Sequence, residues 1–251
     1  IKNMLAKEWL KNAHQVMDSI ETSQMEKIYK AASIMADSIQ AGRWVHTWGC
    51  GHATIPCEEM YPRIGGFVGF HPLCELPLTF FTQIIGQMGI HQFLYLERQE
   101  GYGQQIMKNY NFDPKDCLWI FSHTGINAVN IDTALEAKKR RMKGIAYEAA
   151  GATGDKPSRH SCRKNLFQIA DVVVDSCVPL QDASVPLKDH IDKIGPLSTL
   201  GFVTMVWMTI TTVAEILESR KVHLFINPSH NVPGDMTAQN RLDEAIGEYQ
   251  K

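Results

Sequence analysis

The chain has 251 residues with a formal net charge of -2, 44% hydrophobic and 21% charged residues. That is enough chain for one large domain or two small ones with a full core, in an ordinary soluble globular composition. Twenty-five Lys and Arg against 27 Asp and Glu leave no global positive field, so a basic nucleic-acid binder is excluded. The basic run Lys138, Lys139, Arg140 and Arg141 stands at a predicted helix end, where it complements the helix dipole.

The N-terminus mixes acid and base with no apolar core, so no signal peptide is expected. Two amphipathic helices are expected in the first 41 residues. Leu5, Trp9, Ala13, Val16 and Ile20 recur at helical spacing in the first; a capping box, Ser23-x-x-Glu26, opens the second. Gly42 is placed to end it. This extension is read as packing on the core or on a partner subunit, within a single domain of residues 1–251.

From Arg43 onward, short apolar runs alternate with helical patterns. Strands are expected at 44–48, 67–70, 93–96, 118–121, 144–147 and 172–174, and helices at 54–61, 78–88, 103–110, 127–142 and 163–169. Alternation of this kind implies a parallel sheet covered on both faces, with a ligand beyond the carboxyl ends of its strands. Residues 149–161 are polar and Gly-rich and read as a loop. Residues 197–214 carry no charge, but five threonines and Gly201 interrupt the run and Glu215 closes it. The expected structure there is a buried core helix, not a membrane span.

Six cysteines form no C-x-x-C pair. A zinc ribbon, a thioredoxin-type motif and a secreted disulfide scaffold are all disfavoured, and a cytoplasmic protein is expected.

Two strand-to-helix turns carry the chemistry. The first, Trp48-Gly49-Cys50-Gly51-His52-Ala53-Thr54, lacks the third glycine and the acid of a dinucleotide fingerprint, and it has no Walker A lysine. It serves equally well as a tight turn or as a close approach to an anion. The second, Ser122-His123-Thr124-Gly125-Ile126-Asn127, sets two hydroxyls, a glycine and an amide around a helix N-terminus. N-capping explains one of those residues, whereas a dianionic phosphate site explains the cluster. Glu58 and Glu59 follow the first turn, and Glu59 with Arg63 places acid and base on one helical face. That pair is either a surface ion pair or the source of a general base. His52, in the first turn, is the leading acid candidate, with His160 and His230 behind it; His46, inside a strand, is read as structural. No metal and no cofactor are expected, since His52, Cys57 and Glu58 match no familiar ligand spacing.

The pattern Ser-x-Ser/Thr-Gly-x-Asn/Thr after an apolar strand resembles the signature of the sugar isomerase (SIS) domain family. The Gly49-Cys50-Gly51-His52-Ala53 turn is similar to that family's first phosphosugar loop. Ser158-Arg159-His160, Gln181-Asp182-Ala183, Gly195-Pro196-Leu197-Ser198-Thr199 and Asn231-Val232-Pro233-Gly234 resemble a group of standalone, largely uncharacterised SIS proteins. More distantly, Glu59 to Arg63 looks like the Glu-Leu-x-x-Arg pattern of phosphoheptose isomerases, in which that Glu is catalytic.

The resemblance implies a three-layer α/β/α sandwich around a five-stranded parallel sheet, and a homodimer or homotetramer. It implies a phosphosugar held by Gly51, Ala53, Thr54, Ser122, the backbone of His123, Thr124 and Asn127, with Glu59 as base and His52 assisting; Glu58, by its location beside the first turn, is the second base candidate. Ala53 stands where the family carries a hydroxyl, so either Thr54 substitutes or one phosphate contact is lost. The implied activity is an aldose–ketose isomerase of phosphosugars. The alternatives are a lyase or etherase of amino-sugar phosphates and a non-catalytic phosphosugar sensor. Neither nucleic acid nor membrane is an expected partner.

Overall fold

The computed structural model describes residues 4–80 and 88–251. One helix, α1 (Leu5–Gln40), occupies the span where two were expected. Its buried stripe, Ala13, Val16, Ile20, Ile28, Ala32 and Met35, runs through the anticipated break without losing phase. Ser19, Thr22 and Ser23 turn their hydroxyls back onto carbonyls of the same helix, so Ser23 caps nothing. The Gln24 side chain instead reaches out and accepts the Asp175 N–H at 3.0 Å.

Next come β1 (Val45–Gly49), a 3-10 turn over Gly51–Thr54, α2 (Ile55–Met60), β2 (Phe70–Pro72), α3 (Leu76–Thr79), α4 (Ile90–Leu96) and α5 (Tyr102–Met107). The second half holds β3 (Cys117–Phe121), α6 (Ala128–Lys139), β4 (Lys143–Glu148), a single turn α7 (Ala150–Thr153), β5 (Val172–Asp175), the hairpin β6 (Ala183–Pro186) and β7 (Lys193–Pro196), α8 (Ser198–Ser219) and α9 (Ala238–Tyr249).

The strand expected at 93–96 is the end of α4. Ile90, Phe93 and Leu94 sit at helical spacing and face one apolar cluster, so a short apolar run that fits either period is decided by packing. The strand expected at 67–70 begins only at Phe70, while Phe67 makes an isolated antiparallel bridge with Ile226. The helix expected at 163–169 shrinks to a 3-10 turn, Leu166–Gln168, closed by a capping box between Asn165 and Gln168. The helix expected at 78–88 lies largely outside the described residues. The hairpin and α9 carried no signal that the sequence reading used.

The sheet is five-stranded and all parallel, in the order β2-β1-β3-β4-β5. Alternate residues of β3 supply the two faces. Cys117, Trp119 and Phe121 join the core beneath α1, α2 and α8, while Leu118 and Ile120 join the core beneath α4, α5 and α6. The uncharged stretch forms most of α8. That helix is long and apolar enough to cross a membrane, and it buries Phe202, Met205, Val206, Thr209, Ile210 and Val213 in the first core. Because β1 leads to β2 on one side and the chain then returns to β3 on the other, the strand order reverses between β1 and β3. Gly49 and Phe121 are register partners at the carboxyl end of that switch, where a doubly wound sheet opens a crevice.

Candidate functional site

Both chemistry-bearing turns leave the sheet side by side at this crevice. In the first, a Cβ on Gly49 would fall 2.0 Å from the Ala53 carbonyl oxygen, and Gly51 has φ +61° under the Phe93 ring. The two glycines are therefore what allow the turn to close so tightly. Thr54, buried, donates its hydroxyl to Gly51 O at 2.7 Å and so fastens the same turn. In the second turn the Ser122 N–H extends the ladder to Tyr147 O, and Gly125, at φ +64°, turns back so that its N–H reaches Ser122 Oγ at 3.1 Å. His123 is held through Nε2 by Leu180 O at 3.0 Å.

Between the turns lies an open cleft of about 320 Å³. His52 and Ala53 line it from the first turn, and Ser122, His123, Thr124 and Asn127 from the second. Six of the expected site residues are thus brought together. Gly51 and Thr54 are not among the lining residues, and the Thr54 hydroxyl is directed at Gly51 O. Glu58 and Glu59 also lie outside the cleft lining. Glu58 is exposed on α2, and Glu59 accepts from Arg63 and from the Trp207 indole at 3.1 Å. His160 is buried in a different contact, 3.2 Å from Asp132 Oδ1, and accepts the Cys162 N–H on Nδ1 at 3.0 Å.

Among the lining residues that the sequence reading did not place in the site are Glu97, Asn130 and Arg159. Glu97 follows α4, whose misreading as a strand hid its position. Burial pushes its carboxyl up, against the pull of Arg98 and Arg159 and of a hydrogen bond from Asn127. The Asn127 amide is engaged at both ends, donating from Nδ2 to Glu97 at 2.7 Å and accepting on Oδ1 from Arg159 at 2.6 Å. A guanidinium only donates, so the orientation of this amide is determined by Arg159. Asn127 thereby ties an acid to a base across the cleft mouth. Asn130 stands one turn further along α6, and its spacing from Asn127 was the available signal. Its Oδ1 accepts the Trp48 indole N–H at 2.8 Å, and its Nδ2 donates to Ser122 Oγ at 3.0 Å. The amino end of α6 opens here, so backbone dipoles favour negative charge in the cleft.

The SIS domain model matches residues 8–148, more than half of the chain. A UPF0309 protein of Thermoanaerobacter pseudethanolicus is 29% identical over 248 residues, covering 97% of each chain. A UPF0309 protein of Oceanobacillus iheyensis is 30% identical over 238 residues, covering 95% of each. Among solved structures, the phosphoheptose isomerase of Neisseria gonorrhoeae superposes with a TM-score of 0.55 at 12% identity, covering 82% of this chain and 95% of its own. That of Francisella tularensis gives 0.53 at 15%, covering 84% and 96%. Identities that low attest the fold, while the domain model spans both turns and the sheet between them through β4: the chain belongs to the SIS domain family.

Proposed function

We propose that this chain binds a phosphosugar in the cleft between the two turns and interconverts its aldose and ketose forms. The observation that carries the reading is the convergence of Ser122, His123, Thr124 and the amino end of α6 on one open cleft at the switch point of the sheet. Phosphoheptose isomerases sharing the fold support the same class of ligand. Isomerisation moves a proton between adjacent carbons through an enediol, and a carboxyl whose pKa is raised toward neutrality can carry it. Glu97 meets that description inside the cleft. Glu59, the base implied by resemblance, would act only if released from Arg63 and Trp207. His52, on the cleft wall, is placed to assist ring opening.

Thermal unfolding against C5 to C7 sugar phosphates, amino-sugar phosphates and their unphosphorylated parents tests the binding. A ligand at 100 times its Kd raises stability by about 2.7 kcal/mol. The expected result is a shift with phosphorylated compounds alone, reduced in Ser122→Ala; no shift from ligand-free protein would end the phosphosugar reading. Turnover of the stabilising compound then separates the bases. Glu97→Gln should lower kcat by roughly 10²-fold or more with binding retained, and Glu59→Gln should not. The reverse result would return the role to Glu59. A phosphosugar sensor is the second reading, favoured by the position of Glu59 outside the cleft, and binding without turnover on any compound would select it.

A further inference from the structure

Ser122 differs from an ordinary hydroxyl at a helix end because its hydrogen-bonding capacity is almost entirely accounted for. Its Oγ accepts the Gly125 N–H at 3.1 Å and the Asn130 Nδ2–H at 3.0 Å. A hydroxyl oxygen has two lone pairs and one hydrogen, so both acceptor sites are filled and only the O–H is left to be used. Among the described residues that hydrogen meets no protein acceptor, and Ser122 lines the cleft.

The arrangement depends on which way round the Asn130 amide lies, and the surroundings settle that. Asn130 is 2% exposed. Its Oδ1 takes the Trp48 indole N–H at 2.8 Å and the Cys50 Sγ–H at 3.3 Å. An indole nitrogen only donates, so the amide oxygen must face it and the amino group must face Ser122. The bonds run in one direction, Trp48 to Asn130 to Ser122 to the cleft, and each polarises the next.

We infer that Asn130 is a positioning residue: it commits the Ser122 hydroxyl to donate into the cleft, and the chain from Trp48 thereby selects a ligand group that purely accepts. A fully deprotonated oxyanion satisfies it. An ammonium or amide N–H presented at the same point meets a second hydrogen and is refused. The inference rests on the phosphosugar reading and deepens it by assigning the group that commits Ser122 to an accepting ligand oxygen.

The test is the affinity for inorganic phosphate at about pH 8, where the dianion prevails, read by calorimetry for the native chain, Asn130→Asp, Ser122→Ala and the double variant. An Asp carboxylate still accepts from Trp48, but it also accepts the Ser122 O–H and turns that hydrogen away from the cleft. Asn130→Asp should therefore weaken phosphate binding by about ten-fold or more, the loss expected for one hydrogen bond to a charged group. In the Ser122→Ala background the same change should have no further effect, because no hydroxyl is left to orient. Were the loss simple charge repulsion, the double variant would bind more weakly than either single one, and the inference would be overturned.

Trp48→Phe is the charge-free counterpart, and it guards against a misfolded Asp variant. It removes the indole donor, lets the amide turn over, and should weaken phosphate several-fold in the native background only. Native affinity in both Asn130→Asp and Trp48→Phe overturns the positioning role while leaving the phosphosugar reading intact. A native chain that binds neither phosphate nor any sugar phosphate removes both.

Discussion

Glu148, the last residue of β4, lies beneath the second turn with both carboxylate oxygens buried and unpartnered. It sits so close that a Cβ on Gly125 would fall 1.7 Å from its Oε2. Burial, with Asp175 adding a like charge, pushes the carboxyl up to about 8. The folded chain therefore keeps a proton that an unfolded Glu would release near 4.5. The stability this gives is fully present below about 4.5 and is lost as pH rises through about 8. Glu148→Gln, isosteric with the neutral acid, should remove that loss: its unfolding midpoint should exceed that of the native chain above pH 8 and change less with pH. Equal midpoints across the range would show that Glu148 finds a partner when it ionises. Nothing in the sequence marks Glu148, whose burial comes from a strand end meeting a turn distant in the chain. Ser122, Thr124 and Gly125 were legible because their types carry local meaning, hydroxyls and a left-handed turn beside a helix start. Glu97 and Asn130 were not, since an acid and an amide gain a role only from what the fold sets opposite them.

Among the elements, four of the five sheet strands were legible within a residue or so, at 44–48, 118–121, 144–147 and 172–174 against Val45–Gly49, Cys117–Phe121, Lys143–Glu148 and Val172–Asp175. Three are apolar runs bounded by polar residues, and in β1 Val45 and Trp48 flank His46 and Thr47, so local hydrophobicity marks most of the sheet. The errors share a different cause. The Ser23 capping box is a valid local signal, but α1 is packed lengthwise along α8, and an uninterrupted apolar stripe outweighs one cap worth about 1 kcal/mol. Residues 93–96 fit strand and helix alike until Phe93 packs against Gly51. The hairpin β6–β7 was missed because its strands are short, and β7 is mostly exposed. Its placement comes from Asp182, which accepts from the Leu197 and Ser198 N–H groups and from the Ser198 hydroxyl. That contact ties the hairpin entrance to the start of α8 at the cleft edge, where Asp182 and Ser198 both line the cavity. Such a link joins residues 15 or 16 positions apart and leaves no periodicity to read.

Across the whole molecule the sheet separates two tasks. Its carboxyl end holds the cleft, where glycines close both turns and burial keeps Glu97 from easy ionisation. Its amino end holds a buried charge cluster around Asp116, just before β3. Asp116 accepts from Arg43 Nε at 2.9 Å and Nη2 at 3.0 Å, and from the Trp44 and Asp113 N–H groups at 3.1 and 2.7 Å. His46 Nε2 lies 3.4 Å away, and its Nδ1 meets His71 Nδ1 at 3.1 Å. His46 is thus held within the sheet and does not line the cleft. Burial alone would raise the Asp116 carboxyl, but the bonds from His46, Arg43 and the backbone overcome it and hold the group well below the usual carboxylate range. Its contribution is therefore complete above about 3.8 and is lost as pH falls through the folded value. Asp116→Ala should cost about 3 kcal/mol at neutral pH, near the lower bound for breaking a buried pair, because Arg43 is partly exposed and water can take over some of its bonds. Denaturant unfolding should show that difference shrinking below about pH 3.8, as the native chain loses the same carboxylate. Ser122 lies six residues beyond Asp116 along the strand, about 20 Å at 3.3 Å per residue. Phosphate affinity of the folded variant should therefore match that of the native chain. A fall in affinity together with the fall in stability would mean that the two ends of the sheet are coupled, and that the cleft draws its geometry from the amino-end cluster as well as from its own turns.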